Sequence, residues 1–247
     1  TKIIFFTIFN LIICNFLISQ NITNTLGTNG TFTIKDGSTS YLTLSQSTGN
    51  TILYGNLELG NSFSSTPTSG VITKNGNRYI HSYGVDNIFI GLNSGNFSMT
   101  SGYNIGVGTN TLGALTSGNQ NIAMGYGSLS DNTLGNSNTA IGHLSMRYNT
   151  IGNYNTAFGN RCLFWSTTGN DNTAIGYQTL HNSTTGSYNT ATGYRSLYSN
   201  TTGSYNTAIG NQSLYSNTTG IENTAVGFES LIFNVTGRDN SALGFRS

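Results

Sequence analysis

Charge is what this sequence has least of. Only 7% of its 247 residues are Asp, Glu, Lys or Arg, against roughly a quarter in an average globular domain. Nine basic and eight acidic residues leave a net charge of +1, and the basic ones form no stripe. Nucleic-acid binding needs clustered lysine and arginine, so nucleic acid is not expected as a partner. Proline occurs once and cysteine twice, too few for a disulfide framework or a cysteine-based metal site. The acidic residues are too sparse for calcium-type oxygen cages, and the Gly-Gly-x-Gly-x-Asp signature does not occur. No cofactor or metal is expected.

What is abundant is Gly (32 residues), with Ser, Thr and Asn. Alone, that polarity would suggest disorder. A phased repeat argues the opposite. Asn-Thr-Ala-Ile-Gly or a close variant returns every 17 residues without an insertion. Its Asn is Asn87, Asn104, Asn121, Asn138, Asn155, Asn172, Asn189, Asn206, Asn223 and Asn240. Its Gly follows four residues later at Gly91, Gly108, Gly125, Gly142, Gly159, Gly176, Gly193, Gly210, Gly227 and Gly244. The consensus runs Asn-Thr-Ala-Ile-Gly-x-x-Ser-Leu-x-x-Asn-Thr-Thr-Gly-x-x. A short unit with no slippage can bury its apolar side only against its neighbours, so the chain is expected to stack.

The ninth unit position holds Leu112, Leu129, Leu163, Leu180, Leu197, Leu214 and Leu231, with Met146 standing in. The fourth holds Ile90, Val107, Met124, Ile141, Phe158, Ile175, Ile209, Val226 and Leu243, with Thr192 the exception. A helix would show an i, i+3, i+4 stripe and would not place Gly twice per unit. Two apolar columns bracketed by turn residues suit two short strands per coil. The expected fold is therefore all-β, a parallel β-roll or β-solenoid of about ten coils over 84–247. The Asn column fits an asparagine ladder between rungs, and the Gly column fits positive φ or close backbone approach. Two large apolar side chains and an Ala per rung make a thin core, which favours lateral association of copies.

Three segments precede or form this stack. Residues 1–20 combine Lys2, an apolar run from Ile3 to Ile18 and a polar exit at Ser19-Gln20, the pattern of a secretory signal peptide. A secreted or cell-surface location follows, with no membrane span in the mature chain. Residues 21–83 are irregular and β-rich, with strand-like stretches at Thr31–Ile34, Tyr41–Leu44 and Thr51–Tyr54 and a loop at Thr66–Gly70. They read as a stalk or adaptor. Ser247 falls eight residues into its unit, so no native C-terminal cap is expected within the repeats.

The units Asn-Thr-Ala-Ile-Gly-Tyr-Gln-Thr-Leu (172–180) and Asn-Thr-Ala-Ile-Gly-Asn-Gln-Ser-Leu (206–214) resemble the head repeats of YadA-like trimeric autotransporter adhesins. They resemble still more the glycine-asparagine repeats of bacterial and phage tail-fibre-domain proteins. The likeness covers about two-thirds of the chain. It implies a left-handed parallel β-roll, a homotrimer, and a role in adhesion or fibre structure. The unit here is longer than the adhesin repeat, and neither a membrane-anchor barrel nor an autocleaving chaperone domain lies within the sequence. Anchoring and self-cleavage are therefore not carried over.

Catalytic chemistry has little to stand on. His81, His143 and His181 occur in unlike contexts, and Cys162 occupies a Ser/Thr slot, which suits packing. Glu222 and Asp239 share the last unit position on adjacent rungs, a spacing compatible with glycoside hydrolysis, but Arg238 stands ready to neutralise them. No enzyme is expected. Aromatics recur at the sixth and tenth positions, where Tyr177, Tyr194, Tyr198 and Tyr215 are candidate surface-binding residues toward a glycan or a host or environmental surface. The same rings suit stacking on one another or lining a trimer seam. Two readings are carried forward: a structural and adhesive fibre segment, and an ice-binding or carbohydrate-binding β-solenoid. Against ice, the paired threonines Thr201-Thr202 and Thr218-Thr219 are adjacent, so they point to opposite faces of a strand or lie in a turn.

Overall fold

The computed structural model describes residues 31–36, 39–45, 51–53, 71–74 and 77–247. The signal-peptide assignment and the loop at Thr66–Gly70 lie outside these residues. The chain divides into two compact units, Thr1–Glu58 and Leu59–Ser247. In the first, β1 (Thr31–Asp36), β2 (Thr39–Ser45) and β3 (Thr51–Leu53) form an antiparallel sheet in the order β1-β2-β3. All three fall where strand-forming residues concentrate.

The second unit is a parallel β-solenoid of about nine turns. After the hairpin β4 (Ile72–Lys74) and β5 (Asn77–His81), each coil contributes one three-residue strand. These are β6 (Ile88–Ile90), β7 (Ile105–Val107), β8 (Ile122–Met124), β9 (Thr139–Ile141) and β10 (Thr156–Phe158). They continue as β11 (Thr173–Ile175), β12 (Thr190–Thr192), β13 (Thr207–Ile209), β14 (Thr224–Val226) and β15 (Ser241–Leu243). From β6 to β15 every neighbour is parallel and in register, Thr156 beside Thr173 and Ala157 beside Ala174. Nine steps of about 4.8 Å give a stack roughly 43 Å long. Among the described residues there is no helix. β4 and β5, grouped by composition with the N-terminal segment, are part of this sheet, β5 pairing antiparallel with β6.

Backbone hydrogen bonds run almost entirely between coils. In one coil, Thr173 N–H donates forward to Asn189 O at 2.8 Å, Gly176 N–H back to Phe158 O at 2.9 Å, and Leu180 N–H forward to Ser196 O at 3.0 Å. Each coil thus satisfies most of its peptides through its neighbours, as expected of a repeat with nearest-neighbour energetics.

The expectation of two strands and two buried apolar columns per coil is corrected here. Alanine at the third position is the buried strand residue, fully enclosed at Ala140, Ala157, Ala174, Ala191 and Ala208. Strand alternation then turns the second and fourth positions outward, and Ile175, Ile209 and Phe158 stand 41%, 42% and 56% exposed. The Leu column is buried as expected, but in a turn rather than a strand, with φ near +50° at Leu163, Leu180 and Leu197. The left-handed region disfavours such residues by about 1–2 kcal/mol each. The seventh and last positions adopt it too, as at Arg195 and Tyr188. The first coil exchanges the core pair: Phe89 replaces Ala and Gly95 replaces Leu. A Cβ on Gly95 would strike the Phe89 ring, so the large residue fills the space the small one vacates.

Buried asparagines line the rest of the interior. Asn172 Oδ1 accepts from both the backbone N–H and Nδ2 of Asn189, at 3.0 and 3.1 Å. Asn189 Nδ2 also donates to Gly203 O at 2.9 Å. The same bonds recur from Asn104 to Asn223, and a carboxamide whose four hydrogen-bonding sites are largely used can be buried without penalty. The fifth-position glycine is required: Gly176 has φ +136°, and a Cβ there would overlap the Gly193 carbonyl. Gly176→Ala is expected to destabilise the solenoid by more than about 2 kcal/mol in chemical denaturation. Gly113→Ala, where an added Cβ meets only ordinary contacts near 3.8 Å, should stay within about 0.5 kcal/mol.

Candidate functional site

The coil offers two kinds of outer surface. One is the sheet face, built from the second and fourth positions of β6 to β15. Its second column reads Ile88, Ile105, Ile122, then Thr139, Thr156, Thr173, Thr190, Thr207, Thr224 and Ser241. Its fourth column is apolar in nine of ten rungs, Thr192 being the tenth. Neither column carries a charge.

The charges lie elsewhere. The seventh position carries Arg161, Arg195, Glu229 and Arg246, and the tenth and eleventh carry Arg147 and Asp131. Arg147 pairs with Asp131 and Arg246 with Glu229, the latter at 2.6 Å. Interleaved with these cations are the aromatic columns. Tyr177 stacks on Tyr194 with centroids 5.6 Å apart and planes 7° from parallel. Phe164, His181, Tyr198 and Tyr215 form a continuous stack at 5.1, 5.1 and 5.2 Å. Trp165 lies over Tyr148 at 4.4 Å. The Arg195 guanidinium sits 5.2 Å from Tyr194 and 5.3 Å from Tyr198, joining the two columns by cation–π contact.

The four candidate tyrosines are therefore brought together around Arg195. Their ring faces cover one another, because in-register rungs set identical rings one strand spacing apart. Mid-column rings turn edges and hydroxyls outward; free faces remain only at column ends, such as the side of Tyr177 toward Asn160. A sugar ring stacks on a face, so this arrangement offers it little. The Asn and Gly columns singled out in the sequence are interior and backbone devices, not ligand contacts. The arginines of the seventh position were not singled out; their shared unit position, next to the sixth-position aromatics, was the available signal.

Reactive groups are dispersed. Among the described residues, no three His, Cys, Asp or Glu side chains come close enough to hold a metal ion. Cys162 is buried, donates its thiol to Gly176 O at 2.6 Å, and has its pKa pushed up to about 11 by burial. Thr179 makes the equivalent bond to Gly193 O at 2.7 Å one rung on. Asp171, Glu222 and Asp239 stand at a left-handed turn, and Arg238 forms no ion pair with either carboxylate among the described residues. No described helix is long and apolar enough to cross a membrane.

No family model, curated protein or solved structure matches this chain. The surfaces themselves carry what can be argued about function.

His181 lies inside the tenth-position aromatic column, with Nδ1 on Asn182 Oδ1 at 2.8 Å. Burial lowers its pKa below 6.5, the Asn182 contact pulls it up, and Arg161 and Arg195 lower it further. The folded chain thus binds this proton less readily than the unfolded chain, so stability falls as pH drops through 6.5 and levels off below the folded pKa. Buried His81 contributes with the same sign. His181→Phe should keep the stack and flatten part of this acid loss, seen as a smaller melting-temperature difference between pH 7.5 and pH 5 than in the parent.

Proposed function

We propose that the chain is a non-catalytic structural and adhesive fibre segment, secreted or displayed at a cell surface, whose copies associate through the sheet face. The observation that supports this reading is the uncharged apolar column along β6 to β15. Ten strands about 4.8 Å apart and roughly 10 Å of face width amount to about 430 Å² of flat surface. The threonine column shares that face, so the apolar strip is only part of it, and its continuity and lack of charge, rather than its area, favour a covered surface. All eleven charged residues of 84–247 lie at other unit positions. A copy laid against this face would bury Ile, Val, Phe and Met without desolvating an ion.

The copy number of three comes from the resemblance to trimeric adhesin heads and tail-fibre repeats, as do the left-handed winding and the adhesive role. The rest of the coil supports a passive shaft: inter-rung bonds saturate the backbone, and no reactive cluster forms among the described residues. A glycan or environmental surface would meet only the edges, hydroxyls and column ends of the Arg-linked aromatic columns.

A second reading keeps the sheet face free for ordered water or ice. It gains from six consecutive outward threonines, Thr139 to Thr224, which share one face at one strand spacing. The threonine pairs lie in a turn, one of the two placements expected of them, where Thr184 Oγ1 donates to Thr201 O at 3.1 Å. Light scattering of the full chain separates the readings. The fibre reading gives three times the single-chain mass, lost in Ile175→Asp/Ile209→Asp, and no thermal hysteresis. A monomer that depresses the freezing point would replace the fibre reading with the ice one.

A further inference from the structure

The interior holds a second carboxamide ladder, at the twelfth unit position, and it is interrupted. Asn149 Nδ2 donates to Asn132 Oδ1 at 2.8 Å, Asn217 Nδ2 to Asn200 Oδ1 at 2.9 Å, and Asn234 Nδ2 to Asn217 Oδ1 at 3.1 Å. Between Asn149 and Asn200 the column reads Ser166 and Ser183. All four residues are fully enclosed, and Asn149 Oδ1, Ser166 Oγ and Ser183 Oγ have no hydrogen-bond partner.

The orphans follow from the break. In an intact rung the next asparagine supplies the Nδ2 hydrogen that Asn149 Oδ1 is left without. At the other end Asn200 Nδ2 donates to Gly203 O at 2.9 Å, and its second hydrogen has lost the acceptor an asparagine at 183 would provide. Each serine is also two heavy atoms smaller than the asparagine it replaces. The coils cannot close up to absorb that volume. The first-position ladder runs unbroken from Asn155 through Asn172 and Asn189 to Asn206, and the threonine bonds continue from Thr150 through Thr167 and Thr184 to Thr201.

We propose that this gap is a binding site for two water molecules in series, completing the ladder from Asn200 Nδ2 to Asn149 Oδ1. The site is polar, enclosed and missing about two carboxamides, which meets the requirement of 2–4 polar partners for a buried water. Each water donates toward Asn149 and accepts from the Asn200 side, with Ser166 and Ser183 hydroxyls as lateral partners, so the ladder's polarity is kept. A monovalent cation fits less well. The Asn200 end presents a hydrogen, and no described carboxylate lies at the twelfth position.

A high-resolution crystal structure of the full chain tests this directly. Two density peaks within about 2.7–3.2 Å of Asn149 Oδ1, Ser166 Oγ, Ser183 Oγ and Asn200 Nδ2 are expected. A closed gap with these side chains bonded to one another, or a single peak with oxygen ligands only that gives an anomalous signal after rubidium soaking, would overturn it. Independently, Ser166→Asn/Ser183→Asn should expel both waters and raise the melting temperature by roughly 2–4 °C per rung filled. An unchanged or lower melting temperature in a folded double variant counts against the site.

Discussion

The asparagine carboxamide passed from rung to rung is the interaction on which the other features rest. It joins the backbone N–H and side chain of one coil to the side chain of the coil before, as Asn189 does to Asn172. A shift by one residue would break both bonds at every rung and would also carry Ala174 from the inside of the sheet to the outside. The ladder therefore holds register as well as spacing. With register held, identical side chains must stack, and both aromatic columns and sheet face are consequences. The thin hydrophobic core, Ala and Leu once per coil, suffices only because polar ladders fill the remaining interior with satisfied groups.

Stacking also sorts the surface. A charged column would repeat like charge at one strand spacing, and the chain keeps that to one pair, Glu222 and Asp239. Arg195 follows Gln178, and Arg246 follows Glu229, each bonded to the side chain one rung back. Where a face carries no charge, as along β6 to β15, a strip results that suits either a second chain or ordered water. The functional proposal rests on that strip, while the aromatic columns spend most of their ring faces on each other.

Much of this was legible beforehand. Period, fold class, the Asn ladder and the need for glycine at positions such as Gly176 follow from residues that tolerate few alternatives. The orientation of the fourth position was misjudged because apolar columns invite burial; the smaller Ala beside it holds the inward place. The left-handed backbone at Leu180, Arg195 and Tyr188 left no trace, since none of these residues favours it and the inter-coil bonds impose it. The union of β4 and β5 with the solenoid sheet was hidden because a hairpin pairs through backbone, which composition does not report. The serines at 166 and 183 carry no signal in the sequence itself; their meaning comes from the unpaired atoms around them.

The ladder can be challenged with a nearly isosteric change. Asn172→Asp keeps the shape of the side chain but removes its Nδ2 donor and buries a charge, whereas Asn211→Asp alters an exposed residue of the sixth position. Urea unfolding of the two variants is expected to show Asn172→Asp several kcal/mol less stable, or unfolded, with Asn211→Asp close to the parent. Equal, small effects at both positions would contradict the claim that in-register carboxamides hold this protein together.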